Sequence, residues 1–66
     1  MPKPPRLTAA EAEKLLKEAG FGLLRTKGSH RIYTKGSIRV VVPFHVGKIL
    51  HPKIVKQVLD AIETGA

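Results

Sequence analysis

The triplet Lys-Gly-Ser occurs at residues 27–29 and again at 35–37, and it cuts the middle of the chain into short extended runs. A glycine and a small polar residue between β-prone runs are turn chemistry, since glycine reaches the positive φ of a tight hairpin without strain. The runs are Phe21–Thr26, His30–Thr34 and Ile38–Pro43, read as three strands joined by tight turns. Tight turns make neighbouring strands antiparallel. In the third run Ile38, Val40 and Val42 share one face, and Arg39 and Val41 share the other. The first face suits a core. Pro43 ends the ladder because it has no N–H to donate. A loop follows from Phe44 to Leu50.

Helical signals flank this block. Thr8-Ala9-Ala10-Glu11 reads as a capping box, with hydroxyl and carboxylate each taking the other's amide. Ala12, Leu15, Leu16 and Ala19 form an apolar stripe at helical spacing. Gly20 is placed as the left-handed residue after the helix, with Phe21 folding back on Leu16. Pro52 suits a first helical position, and Val55, Val58, Leu59 and Ile62 repeat the stripe until Gly65. The order helix, three strands, helix predicts an α+β fold: a three-stranded antiparallel sheet with both helices on one face. Residues 7–66 are expected to form this single domain, behind a loose Pro-rich arm over 1–6.

At 66 residues the chain has room for one domain. A chain this short buries roughly 60% of the surface its unfolded form exposes, so its core is small. There is no cysteine, which removes disulfides, thiolate zinc sites, iron–sulfur clusters and a Cys nucleophile, and is compatible with a reducing cytoplasm. No apolar run approaches the roughly 20 residues of a membrane span, and Met1 to Arg6 lacks the apolar stretch of a secretory signal. The expected location is cytoplasmic.

The net charge is +7, and its distribution says more than its sum. The five acids are Glu11, Glu13, Glu18, Asp60 and Glu63, so none lies between Glu18 and Asp60. That stretch holds Arg25, Lys27, Arg31, Lys35, Arg39, Lys48, Lys53 and Lys56, with His30, His45 and His51. Such a surface draws a polyanion. Excess lysine for solubility is the bland alternative, but it explains magnitude better than segregation. A membrane surface is a weaker rival, because no basic amphipathic helix with bulky aromatics is visible. With both helices on one face, the sheet's other face is expected to carry Arg31, Tyr33, Arg39 and Val41. Cations around an aromatic suit phosphates and a stacked base, and such a face equally suits a protein partner.

Arg25-Thr26-Lys27-Gly28-Ser29-His30-Arg31-Ile32-Tyr33, followed by Val40-Val41-Val42-Pro43-Phe44-His45, resembles the HicA toxins of bacterial toxin–antitoxin systems. The leucine-bearing helix ending in Gly20-Phe21 and the closing apolar helix are also similar to that family, from about Thr8 to Ile62. Gly28-Ser29-His30 after Lys27, and the Val-Pro-x-His segment, are its most diagnostic parts. The resemblance implies a fold like a double-stranded-RNA-binding domain, a ribonuclease acting on messenger RNA, and neutralisation by a HicB antitoxin, with any oligomer formed only in complex with that antitoxin. An antitoxin is expected to cover His30 or the face of Arg31, Tyr33 and Arg39. One departure is His51-Pro52-Lys53-Ile54-Val55, where the family commonly opens its last helix with a Gly-Thr-Leu type sequence.

RNA brings its own nucleophile, the 2′-hydroxyl. A catalyst must take that proton, stabilise charge on the phosphoryl oxygens and help the 5′-oxygen leave. Histidine is the side chain suited to proton transfer near neutrality, so His30 is the candidate general base. Lys27 and Arg31 could stabilise the developing phosphorane. Gly28 lets the backbone approach a phosphate, and Ser29 can donate a hydrogen bond. The expected reaction is metal-independent transesterification, leaving a cyclic phosphate and a free 5′-hydroxyl. Two-metal nucleases hold Mg²⁺ with clustered carboxylates, whereas these acids lie in the helices. There Glu11 caps, Glu13 and Glu18 suit pairs with Lys17 and Lys14, and Asp60 suits Lys56. No metal or other cofactor is expected.

The bland readings stand beside these. His30 after a turn can be merely solvent-facing, and if Ile32 is core, His30 on the same strand face points toward the helices and can act only from the sheet rim. His45 is a second acid–base group, a phosphate contact or a structural loop residue. His51 is expected at the N-terminus of the last helix. Tyr33 and Phe44 are packing residues or stacking platforms. The main alternative to a nuclease is a non-catalytic RNA-binding module of the same shape.

Overall fold

The computed structural model describes residues 5–65 of the chain; the expected arm before Pro5 lies outside them. The elements are α1 (Ala9–Glu18), β1 (Gly22–Lys27), β2 (His30–Lys35), β3 (Ile38–Pro43) and α2 (Pro52–Thr64). The strands form one antiparallel sheet in the order β1-β2-β3. This is the α+β arrangement that the sequence predicts.

Both ends of α1 are closed by local chemistry. The Thr8 hydroxyl accepts from the Glu11 amide at 3.2 Å, and the Glu11 carboxylate accepts from the Thr8 amide at 2.9 Å. At the other end Phe21 N–H donates to Leu16 C=O at 2.9 Å, and Gly20 N–H donates to Lys17 C=O at 3.0 Å. These are the two bonds of a Schellman motif, and Gly20 takes the left-handed φ of 96° it requires. Pro52 opens α2, and the capping residue before it is His51, whose Nδ1 accepts from the Lys53 amide at 3.1 Å. Histidine thus does the work of the usual Ser or Asp. Gly65 is the C-cap of α2, with a right-handed φ of −85°.

The core is one cluster. Ala9, Ala12 and Leu16 of α1 and Val55, Val58 and Ala61 of α2 pack with Phe21, Leu50, Tyr33, Val40 and Val42. Val40 and Val42 share a strand face, so both helices cover that face, and the other face is open. The chain entering each helix is tied to the other by an isolated bridge between Thr8 and Ile49 and by the Leu50 amide donating to Leu7 C=O at 2.8 Å.

One lysine closes both helices. Lys35 Nζ donates to the carbonyls of Ala19 and Gly65, each at 2.7 Å. A cation at two helix C-termini satisfies orphan acceptors and opposes the negative ends of both helix dipoles. Lys35 is therefore part of the frame rather than of the polyanion-facing surface expected of it.

Candidate RNA-facing site

The register of β2 against β3 decides which side chains the site can use. Directly opposed residues share a face. Tyr33 lies opposite Val40 and Arg31 opposite Val42, so Tyr33 and Arg31 face the helices. The expectation that they stand on the open face with Arg39 and Val41 is corrected. Tyr33 is 0% exposed, so its ring offers no surface for a base to stack on.

The physical reason lies on α1. Tyr33 hydroxyl and Arg31 Nη1 both donate to Glu13 Oε2, the latter at 2.8 Å. The same carboxylate has Lys17 Nζ 3.8 Å from its Oε1. Burying a tyrosine hydroxyl and half-burying an arginine costs little when one carboxylate takes both donors. The Tyr33 hydroxyl, then the Arg31 and Lys17 cations, hold Glu13 below its ordinary 4.5 against the opposing effect of burial. Burial, and then the Glu13 charge, push Tyr33 up to about 12. The bond to Glu13 raises Arg31 above its ordinary value. The Arg31 guanidinium also lies 3.9 Å from the centroid of the Phe44 ring, so one face of that ring is occupied.

The open face has a different membership. His30, Ile32 and Thr34 of β2 lie there, with Lys27 and Arg25 opposite His30 and Ile32 on one side, and Pro43, Val41 and Arg39 completing the row on the other. Ile32 is 5% exposed yet lies outside the core cluster; its cross-strand neighbours are Arg25 and Val41. His30 is therefore on the same face as Ile32, as expected, but that face is turned away from the helices. Its conflict with the helical cover disappears. His30 is exposed at the end of the sheet, opposed by Lys27 on β1 and Pro43 on β3.

The turn beside His30 is held on both sides. Gly28 takes φ 59°, and Ser29, like every described non-glycine residue, stays at negative φ. A two-residue loop with positive φ only at its first position has the signature of a type II′ turn. Phe44 N–H donates to Ser29 C=O at 2.6 Å, which carries the ladder one pair beyond β3. His45 follows at once and is exposed in a loop closed by Lys48 N–H donating to its carbonyl at 3.2 Å. The structure thus gathers Lys27, Gly28, Ser29, His30 and the start of the His45 loop at one end of the sheet. Arg25 and Arg39 lie on the same open face, with Arg39 toward the opposite end. Tyr33 and Arg31 are turned away, and His51 is engaged as a cap.

Two roles escaped the sequence reading. Arg25 appeared there only as one charge among many, and Glu13 only as a partner for Lys17. A signal for the strand faces was present. A two-residue turn at Gly36-Ser37 sets Lys35 opposite Ile38, hence Tyr33 opposite Val40 and Arg31 opposite Val42. Among the described residues, no three His, Asp or Glu side chains gather in a metal-binding cluster, and no helix is long and apolar enough to cross a membrane.

Comparison with curated proteins and with solved structures gives no match. The family model described as HicA toxin of bacterial toxin-antitoxin matches residues 9–63. That span runs from the first residue of α1 almost to the end of α2, and it takes in both hairpins and the His30 turn. The chain belongs to the HicA toxin family.

Proposed function

We propose that this toxin is a metal-independent endoribonuclease that cleaves messenger RNA, with His30 as general base and a HicB-type antitoxin as its inhibitor. The observation that carries the reading is the setting of His30. It is exposed on the uncovered sheet face, directly across from Lys27, beside a glycine turn that leaves room for a phosphate. A Cβ placed on Gly28 would meet nothing within 4 Å, so the backbone there is open to a ligand.

In this reading His30 takes the 2′-hydroxyl proton, and the 2′-oxygen attacks the adjacent phosphorus. Lys27 and the Ser29 hydroxyl face the charge that grows on the phosphoryl oxygens. The P–O5′ bond breaks, the leaving 5′-oxygen takes a proton from water, and protonated His30 returns its proton to water. The products are a 2′,3′-cyclic phosphate and a 5′-hydroxyl. Arg25 and Arg39 hold the strand by its phosphates, and His45 contacts the RNA beyond the scissile bond. Arg31 and Tyr33 serve indirectly, by fixing β2 against α1.

The test is incubation with single-stranded RNA in EDTA, beside His30→Ala. Cleavage by the unmodified chain alone, with binding kept in the variant, supports the enzyme. Equal cutting by both, or by neither, removes His30 as catalyst; cutting by neither leaves the non-catalytic RNA-binding module. The proposed work of the protein is then carried out in the cytoplasm, where its substrate is translated.

A further inference from the structure

The outer edge of β3 has free backbone groups whose identity follows from the register. Antiparallel strands alternate between opposed pairs that exchange N–H···O=C bonds and pairs that do not. The Phe44–Ser29 bond marks a bonded pair. Counting along the register, Val42–Arg31, Val40–Tyr33 and Ile38–Lys35 are bonded too, whereas Pro43–His30, Val41–Ile32 and Arg39–Thr34 are not. Residues of the second set turn their backbone N–H and C=O away from β2. Pro43, with no N–H to lose, falls in that set, as an edge proline should. Among the described residues no strand lies beyond β3. Arg39 and Val41 therefore present two N–H and two C=O groups outward.

These groups open onto a groove lined by Arg39, Val40 and Val41 of β3 and by Gln57, Asp60 and Ala61 of α2. The other sheet edge is less suited to pairing. A bulge between Leu23 and Arg25 breaks the spacing of β1, and Arg25 and Lys27 place charges along it. The register of β3 carries no such irregularity.

We propose that the outer edge of β3 is a strand-addition site for the antitoxin. An extended segment of that protein pairs with Arg39 and Val41, sets an acidic side chain against Arg39 on the open face, and directs a donor toward Asp60 and Gln57 in the groove. The proposal rests on the toxin–antitoxin reading of the chain. Charge selects this occupant. A second copy would bring +7 against +7. RNA meets Arg39 on the open face, whereas the groove along the strand edge also counts Asp60 among its lining residues, a charge that repels phosphate. A peptide strand matches alternating amide donors and acceptors, which phosphates do not.

Amide hydrogen exchange of the full chain tests this. In the free protein the Arg39 and Val41 amides exchange fast, and those of Val40 and Val42 are protected. The probe is a synthetic peptide of alternating valine and glutamate, with its valine–lysine counterpart as control. The acidic peptide slows exchange at Arg39 and Val41 and shifts resonances over 38–43 and 57–61. Val41→Pro removes an outward N–H, and Arg39→Glu reverses the facing charge; each weakens peptide binding by about tenfold. Should Val41→Pro unfold, Arg39→Glu carries the test alone. Equal binding of the lysine peptide, unchanged binding by Arg39→Glu, shifts centred on His30, or self-association through the edge would overturn the proposal. Growth of cells expressing the chain reads the toxin assignment separately. No growth arrest, with Arg39 and Val41 still protected by the acidic peptide, would sink the toxin and keep the strand-addition site.

Discussion

The Phe44 amide donates to the Ser29 carbonyl at 2.6 Å, joining the exit of β3 to the turn that introduces His30. Phe44 is itself held by the core and by the Arg31 guanidinium. An exposed histidine is thereby carried on a turn anchored from the buried side. The proposed proton transfer needs a base held in position, and this bond supplies an anchor at the turn end of the hairpin.

His30→Ala is expected to lower RNA cleavage about 10²- to 10⁴-fold, the usual contribution of a general base. The side chain is exposed, so the urea midpoint should move by no more than about 0.5 kcal/mol in free-energy terms. A cleavage assay beside an unfolding curve separates chemistry from stability.

Arg25→Gln and Lys27→Gln should each reduce the slope of log Kobs against log salt for single-stranded RNA by about 0.7. Arg31→Gln should leave that slope unchanged and instead lower stability, because its charge is spent on Glu13. Binding isotherms across a salt series distinguish the two kinds of arginine.

Lys35→Met keeps the aliphatic stem and removes both bonds to the helix C-termini. The expected loss is about 2 kcal/mol, typical of hydrogen bonds to a charged group. It is read as a lower urea midpoint, with amide protection falling in the last turns of both α1 and α2.

Tyr33 is the sole tyrosine and there is no tryptophan, so its ionisation can be followed by absorbance alone. The folded chain should titrate near 12, against an ordinary 10.0. Below pH 10 the stabilisation is fully present. Between 10 and 12 the folded chain keeps a proton that the unfolded chain releases, so stability falls as pH rises. The total is about 2 to 3 kcal/mol. Tyr33→Phe should flatten this alkaline limb; a limb of unchanged steepness would disprove the assignment.

Glu13 runs in the opposite sense. Its folded pKa is depressed, so its contribution is present above the ordinary 4.5 and is lost as pH falls through the folded value. Glu13→Gln should lower stability at neutral pH and flatten the acid limb of a urea-midpoint profile. An equally steep acid limb in the variant would place that titration elsewhere.

The elements were legible in the sequence because their signals are local. The Thr8–Glu11 box, Gly20, Pro52 and the Ile38–Val40–Val42 face each depend on a few adjacent residues, and each stands as read. The faces of β2 were misread because His30 to Lys35 carries one large apolar residue on each side, Ile32 and Tyr33, so alternation alone has two solutions. Assigning Ile32 to the core chose the wrong one. Glu13 favours the other, since it needs Arg31 and Tyr33 together, and it lies 18 and 20 residues from them. The same misreading put Tyr33 and Arg31 in the RNA-facing set and left Arg25 unremarked.

Lys35 binds the last carbonyls of two helices that lie on either side of the sheet in the sequence. During synthesis its second acceptor, Gly65, is made 30 residues after it. Until then α2 has not covered Val40 and Val42, and the apolar face of the sheet has only one of its two helical covers. His30 sits on that sheet, so a nascent chain lacking α2 carries the proposed general base without the full frame that positions it. Under the proposed ribonuclease reading this is a safeguard in time: cleavage awaits the closing of the fold by α2.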